Sequence, residues 1–222
     1  IQMAASGLTP VGRKEFPEHI ANGIVLPGFQ APWIAYRDFF FWLRSNRLRT
    51  RVLNFGVLKP SSINRREKEL HEQVEKIVEE IGEIDFLIGQ SLGGLEAVSL
   101  FSVYPGIKKV IAIASPFSNG TPWRIVELGA KLMMRIPEPM QGTLLRKIHD
   151  CGKPFADRIT TISTKYDKLV PPSHAAFPGA KNIVVEDVRG NGWKRKERFR
   201  THVGLPLSPF VREKIILPEL LN

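Results

Sequence analysis

Short apolar runs rich in β-branched residues alternate along the chain with segments of helical periodicity, and this alternation constrains the fold most strongly. A repeated strand-helix-strand order predicts βαβ crossovers, and hence a parallel sheet with helices on both faces. Ligands of such sheets bind beyond the carboxyl ends of the strands. The predicted strands are Gly23 to Leu26, Arg51 to Phe55, Ile84 to Ile88, Lys109 to Ala114, Arg158 to Ser163 and Asn182 to Val185.

Helical patterns connect these runs. Residues 33–48 place apolar side chains at i, i+3, i+4 and i+7, which predicts an amphipathic helix. A second helix begins at a predicted capping box, Asn64 with Glu67, and ends at Gly82. A third, Leu95 to Phe101, follows the third strand. Together these elements predict a three-layer α/β fold with a mostly parallel sheet of about six strands.

The length of the chain favours a single domain over residues 1–222. Chains divide into several domains only beyond roughly 250 residues, and 43% hydrophobic residues supply an adequate core. Residues 122–150 break the alternation, because helical apolar positions are interrupted there by Pro137, Pro139 and Gly142. We interpret this segment as two short helices that form a small cap, not another sheet unit. Its methionines either form an adaptable apolar surface or fill the core.

Cysteine usage and hydropathy exclude some classes of protein. The one cysteine, Cys151, cannot form an intrachain disulfide, which excludes a disulfide-stapled scaffold and a cysteine-based zinc module. No apolar stretch approaches the roughly 18 residues of a membrane span. No His, Asp or Glu pair has metal-ligand spacing, so we predict neither a metal nor another cofactor. We expect a soluble protein, in the cytoplasm by preference, although secretion stays open.

Basic residues outnumber acidic ones. The chain has 32 Lys and Arg against 22 Asp and Glu, a net charge of +10. Two clusters, Lys194 to Arg200 and Arg44 to Arg51, carry much of this excess. No nucleic-acid-binding motif accompanies them, so we predict no nucleic-acid partner. The clusters are either solvated surface or, for the first, an electropositive rim that attracts anionic substrates or an anionic membrane surface.

The third predicted strand runs into the segment that carries chemistry, Gly89-Gln90-Ser91-Leu92-Gly93, before a helix begins. A Gly-x-Ser-x-Gly segment between a strand and a helix predicts a tight, strained turn that projects the serine hydroxyl above the sheet. The residues two before and two after the serine must be glycine, because strand and helix leave no room for a Cβ there.

Four stretches, taken in order, resemble the α/β-hydrolase superfamily in its lipase and esterase branch. They span roughly residues 23–215 and comprise Ile24 to Phe29, the turn at Ser91, Ala114 to Pro122, and a C-terminal pair containing Asp167 and His202. The resemblance implies an α/β-hydrolase fold and a serine hydrolase.

The same resemblance implies a catalytic triad of Ser91, Asp167 and His202, in the family's order of nucleophile, acid and histidine. Asp85 is a weaker candidate for the acid because it lies at the start of a predicted strand, the wrong end of the sheet. His174 is a weaker candidate for the histidine because it follows Asp167 by only seven residues.

Oxyanion donors and substrate contacts are also implied. The backbone N–H groups of Phe29 and Leu92 would donate to a developing oxyanion. The chain departs from many relatives, which have histidine at the positions of Pro27, Gln90 and Phe117. The predicted substrate contacts are Gln90, Trp123, Met133 and Met134.

The expected activity is cleavage of carboxylic esters through a Ser-His-Asp triad and an acyl-enzyme intermediate. The substrate would be a small-molecule or lipid ester whose acyl chain lies against the cap. An acyltransferase or a thioesterase would use the same triad and is the first alternative. A catalytically silent binding protein is the second. No obligate protein partner is predicted.

Overall fold

A single parallel sheet organises the described part of the chain. The computed structural model describes residues 18–28, 36–53, 63–104, 106–118, 138–186 and 202–221. Its strands are β1 (Ala21–Leu26), β2 (Leu48–Val52), β3 (Phe86–Gln90), β4 (Lys109–Ile113), β5 (Ile159–Thr164) and β6 (Lys181–Val185). They lie in the order β2-β1-β3-β4-β5-β6, and every neighbouring pair is parallel.

The predicted parallel sheet is confirmed, and five of its strands match the predicted bounds closely. The exception is β2, which lies earlier in the chain than the predicted Arg51 to Phe55. β2 is an outer strand, and its Arg49, Thr50 and Arg51 are only partly buried. An outer strand is not enclosed on all sides and needs no continuous apolar run, so an apolar pattern places it wrongly.

Helices cover both faces of this sheet. They are α1 (Arg37–Ser45), α2 (Ile63–Ile81), α3 (Leu92–Phe101), α4 (Glu138–Gly152) and α5 (Pro172–Ala175), with 3-10 helices at Lys153–Arg158 and Leu205–Leu207. The chain then forms a continuous helical stretch, here called the C-terminal helix, made of Pro209–Val211, a π-helical turn Arg212–Ile216, and Leu217–Leu221. None of the described helices combines the length and the apolar character that crossing a bilayer requires.

The three predicted helices are present, with altered ends. α2 already includes Asn64, so the predicted capping box does not mark its first residue. Its predicted end is confirmed: Gly82 follows with a φ of 85°, a left-handed conformation that glycine adopts without strain. The Gly82 N–H donates to the Val78 carbonyl oxygen at 2.8 Å. α3 begins at Leu92, directly after Ser91, rather than at Leu95.

Alternate residues along each strand face opposite layers of the molecule. On one face, Ile24 and Leu87 belong to a core shared with Val74 of α2, Val98 of α3 and Ile148 of α4. The alternation follows from the two-residue period of a strand, which directs successive side chains to opposite faces.

The opposite face of the sheet forms the second core. There Val25 and Ile88 pack with Phe39 of α1 and with Val211 and Ile216 of the C-terminal helix. Both faces are therefore covered, and the three-layer arrangement expected from the sequence is observed.

The second half of the predicted cap is part of the domain body. Residues 138–150 belong to one helix, α4, which continues through Gly142. Leu145 and Ile148 of α4 lie in the core beneath the sheet, and α4 connects β4 with its parallel neighbour β5. This corrects the expectation that no sheet unit occurs here: Pro139 lies in the first turn of α4, where proline is tolerated. Residues 119–137 lie outside the described ranges, so a cap there stays a prediction.

A buried carboxylate fastens the C-terminal helix to the amino-terminal ends of three strands. Glu219 accepts from Thr160 of β5 at 2.8 Å and lies 2.8 Å from the Lys109 Nζ of β4, and it also pairs with Lys181 of β6. Burial by itself raises the pKa of Glu219, but the hydrogen bonds from Lys109, Lys181 and Thr160 outweigh it and lower that pKa to about 2. The ionised carboxylate is thus stabilised in the folded chain.

Replacing this carboxylate gives a pH-dependent loss of stability. The folded pKa of Glu219 lies below its ordinary value of 4.5, so its contribution is fully present above about pH 4.5 and is lost as the pH falls towards 2. We expect Glu219→Gln to lower the free energy of unfolding by about 2 kcal/mol at neutral pH, and by progressively less below pH 4.5. Urea unfolding across this range measures the difference.

Glu186→Gln is the matched control, because Glu186 is exposed at the end of β6. It should change stability little at any pH. A Glu219→Gln deficit that stayed constant down to about pH 3 would contradict the assignment of the stabilising charge to Glu219.

Candidate active site

The residues predicted to be catalytic lie at the edge of the sheet where the carboxyl ends of the strands meet. Gly28 follows β1, Ser91 directly follows β3, and Asp167 follows β5. His202 opens the described segment that comes after β6. Because all the strands are parallel, their carboxyl ends share one edge, which is where ligands of such sheets bind.

Ser91 occupies a strained turn between β3 and α3. Its φ of 53° and ψ of −121° lie in a region that L-residues rarely adopt. Its N–H donates to the Ile113 carbonyl oxygen of β4 at 2.8 Å, and its carbonyl oxygen accepts from the Gly94 N–H at 3.1 Å. Such strain persists only where the surrounding structure imposes it, and it clusters at functional sites.

Two glycines allow α3 to approach the strands. A Cβ added to Gly89 would overlap the backbone of Gly93, and a Cβ added to Gly93 would overlap the carbonyl group of Leu26. The geometry thus gives the physical reason for the spacing of glycines around Ser91.

Asp167 and His202 are in direct contact. The Nδ1 of His202 lies 2.8 Å from Oδ2 of Asp167. The other carboxylate oxygen, Oδ1, accepts the backbone N–H groups of Leu169 at 2.8 Å and Val170 at 3.0 Å. The Asp167 side chain is fully buried, whereas 14% of the His202 side chain is exposed. A carboxylate only accepts hydrogen bonds, so Nδ1 of His202 is the donor in this contact, and in a neutral imidazole that leaves Nε2 as an acceptor.

Gln90, next to Ser91, is bonded within the protein. It is only 4% exposed, its Nε2 donates to the His202 carbonyl oxygen at 2.8 Å, and its Oε1 accepts from the Tyr36 hydroxyl. The sequence predicts a substrate contact for Gln90, whereas in the structure its amide joins two other parts of the chain. These bonds bring the backbone of His202 to the residue that precedes Ser91.

Tyr36, which directly precedes α1, is a site residue that the sequence reasoning missed. Its hydroxyl accepts the Gly28 N–H at 3.1 Å as well as donating to Gln90. Burial raises the pKa of Tyr36 to about 12, against the opposing effect of the Gly28 bond. The periodicity of residues 33–48 includes Tyr36 only as one apolar position on the face of a predicted helix. The one available signal was that a buried tyrosine hydroxyl requires a polar partner, which does not say which partner.

The remaining predicted site residues divide into two groups. Leu92 is half-buried at the first position of α3, where backbone N–H groups have no partner within the helix. Phe29, Trp123, Met133 and Met134 lie outside the described residues, as does the basic cluster Lys194 to Arg200.

The other basic cluster lies away from these groups. Arg44, Arg49 and Arg51 line an open cavity of about 640 Å³ between α1 and the outer strand β2, together with His19 and Phe41. No predicted catalytic residue lines this cavity. Among the described residues, no three His, Cys, Asp or Glu side chains gather in a way that could hold a metal ion.

Solved structures with the same architecture identify the fold. An esterase domain of a Rhodothermus marinus protein is similar with a TM-score of 0.65 and 16% identity, over 92% of this chain and 88% of that one. A mature Bacillus licheniformis lipase is similar with a TM-score of 0.66 and 12% identity, over 90% of this chain and 91% of that one. The chain has the α/β-hydrolase fold.

This α/β-hydrolase fold is shared with proteins of other descriptions. A putative non-heme bromoperoxidase from Mycobacterium tuberculosis is similar with a TM-score of 0.63 and 10% identity, over 90% of this chain and 92% of that one. No protein-family model matches the chain, and no curated protein sequence matches it. Because one fold hosts several chemistries, the activity must be argued from the site itself.

Adding a methyl group at Gly93 tests how closely α3 packs against β1. We expect Gly93→Ala to lower the free energy of unfolding by about 1–3 kcal/mol, because the new Cβ overlaps the Leu26 carbonyl. Gly106→Ala is the matched control, since nothing lies within 4 Å of a Cβ added there. Urea unfolding of both variants measures the effect. Equal stability of Gly93→Ala and the wild type would show that α3 has room to move away from β1.

Proposed function

We propose that the protein is a serine hydrolase that cleaves carboxylic esters through an acyl-enzyme intermediate, with Ser91, His202 and Asp167 as its triad. The observation that carries the proposal is the buried Asp167–His202 contact, tied through Gln90 to the strained turn that presents Ser91. A histidine oriented by a buried carboxylate beside a serine on such a turn is the arrangement that activates a hydroxyl nucleophile.

The roles of these residues follow from their protonation. With the Nδ1 proton directed at Asp167, Nε2 of His202 takes the proton of the Ser91 hydroxyl as Oγ attacks the ester carbonyl carbon. The tetrahedral intermediate collapses when His202 returns that proton to the leaving alcohol. Water, deprotonated by the same Nε2, then cleaves the acyl-enzyme and restores Ser91. Asp167 stays ionised and stabilises the imidazolium at each stage.

The developing oxyanion needs two N–H donors. The proposed donors are the backbone N–H of Leu92, at the first position of α3, and that of Phe29, which follows Gly28. Gly28 lies close to Ser91, which supports this arrangement: a Cβ added to Gly28 would lie 3.4 Å from the Ser91 Cβ. The amino-terminal end of α3 adds a favourable partial positive charge to the same place.

Ester chemistry is favoured by the esterase and lipase named among the similar structures, although each resembles this chain at low identity.

Within the described ranges no hydrogen bond joins the Ser91 hydroxyl to the His202 ring. Catalytic hydrogen bonds are often long without substrate and shorten in the Michaelis complex. The proposed substrate is a small-molecule or lipid ester.

Removal of the Ser91 hydroxyl should abolish the activity. We expect Ser91→Ala to lower kcat/KM for p-nitrophenyl esters of short and medium acyl chains by about 10⁴-fold or more, because the nucleophile is lost. Ser102→Ala is the matched control: its hydroxyl bonds the Ser99 carbonyl oxygen at the far end of α3, so its activity should be unchanged. Release of p-nitrophenol, measured by absorbance, gives both rates.

A fluorophosphonate probe separates an enzyme from a binding protein. Covalent labelling of Ser91 that is lost in His202→Ala would agree with the proposal, since the probe requires an activated serine. Hydrolysis at equal rates by the wild type and Ser91→Ala, or no labelling of Ser91 in the wild type, would refute it.

A further inference from the structure

Three hydrogen bonds form a continuous chain across the candidate site. The Gly28 N–H donates to the Tyr36 hydroxyl at 3.1 Å, the Tyr36 hydroxyl donates to Gln90 Oε1, and Gln90 Nε2 donates to the His202 carbonyl oxygen at 2.8 Å. Every link joins a different pair of segments: the loop after β1, the start of α1, the end of β3 and the segment after β6. We infer that Tyr36 and Gln90 are positioning residues, which hold the backbone of Gly28 and the backbone of His202 in place beside Ser91.

This inference rests on the proposed function, since it assigns Tyr36 and Gln90 to the same catalytic machinery. Neither residue is a reacting group. Each acts through another: Tyr36 through the backbone of Gly28, and Gln90 through the backbone of His202.

The two side chains that form these bonds are buried, so each bond depends on its particular partner. Tyr36 is 3% exposed and Gln90 is 4% exposed, so water does not readily replace a lost partner. The raised pKa of the Tyr36 hydroxyl keeps it protonated, and therefore able to donate to Gln90, throughout the neutral and mildly alkaline range. A hydroxyl that donates to an amide oxygen while accepting a backbone N–H has both of its roles fixed.

The first link holds Gly28, the residue that precedes the proposed oxyanion donor. Gly28 and Tyr36 are eight positions apart in the sequence, and the Tyr36 hydroxyl accepts the Gly28 N–H. The proposed donor Phe29 immediately follows Gly28. Fixing Gly28 therefore restricts where the next N–H group lies, and catalysis by preorganised donors depends on that restriction.

The last link gives His202 a second anchor. Its ring is bonded to Asp167 and its own carbonyl oxygen to Gln90. Because both the ring and the backbone of His202 are bonded, its Nε2 is kept in a narrow range of positions. A displacement of about 1 Å in such a group costs on the order of 10²-fold in rate.

The test uses two variants that remove hydrogen bonds and keep volume, Tyr36→Phe and Gln90→Met, in hydrolysis of p-nitrophenyl butyrate. We expect kcat to fall by about 10-fold in Tyr36→Phe and about 100-fold in Gln90→Met, with KM changed by less than about twofold. The double variant should be slower than Gln90→Met alone but by less than the product of the two separate effects, because Gln90→Met already removes the Tyr36–Gln90 link and leaves only the Gly28–Tyr36 bond for Tyr36→Phe to remove. Tyr104→Phe is the matched control: it removes a hydroxyl that lies 3.3 Å from His71 on the other side of the sheet.

Thermal melting and fluorophosphonate labelling complete the design. A lower melting temperature with kcat unchanged, or effects that multiply in the double variant, would overturn the positioning role. Labelling rates of the folded variants keep the test valid if Gln90→Met is poorly stable, and they should fall in parallel with kcat. An unlabelled wild-type Ser91 would refute the proposed function itself, whereas equal labelling of wild type and Tyr36→Phe would refute only the positioning role.

Discussion

The close approach of α3 to the middle of the sheet is the constraint on which the site depends. It is possible only because Gly89 and Gly93 lack side chains at the point where the helix passes the backbone of β3 and the end of β1. The chain must turn sharply between β3 and α3 to make this approach, and Ser91 takes the resulting strained conformation. Backbone packing in the core is thus coupled directly to the presentation of one hydroxyl group.

Parallel strands bring the other parts of the site to that turn. Segments following β1, β5 and β6 all begin at the edge of the sheet where Ser91 lies. The Asp167 carboxylate is oriented there by backbone N–H groups and by His202, and Gln90 connects His202 to the turn. At the opposite edge, the buried Glu219 joins the C-terminal helix to three strands, so each edge has its own polar anchor. The two cores between these edges are apolar.

Individual strands and helices show which parts of the fold the sequence pattern could predict and which it could not. β3 and β4 were predictable because both faces of a central strand are covered, which demands a continuous apolar run. β2 was placed wrongly because an outer strand with Arg49 and Arg51 does not need one. α4 was interpreted as part of a cap because Pro139 and Gly142 weaken a helical pattern. Both residues are nevertheless accommodated in the crossover helix, whose Leu145 and Ile148 pack beneath the sheet.

The sequence by itself determined the parallel α/β architecture and the glycine spacing around Ser91, because strand periodicity and local motifs are properties of neighbouring residues. Its resemblance to the α/β-hydrolases pointed to Asp167 and His202, which the structure brings into contact. Only the tertiary structure decided that Gln90 bonds to His202, 112 positions away, and to Tyr36, 54 positions away. A buried amide and a buried hydroxyl each require a partner, but the identity of that partner depends on how distant segments meet. The packing of the sheet and its helices supplies that information, and no local pattern contains it.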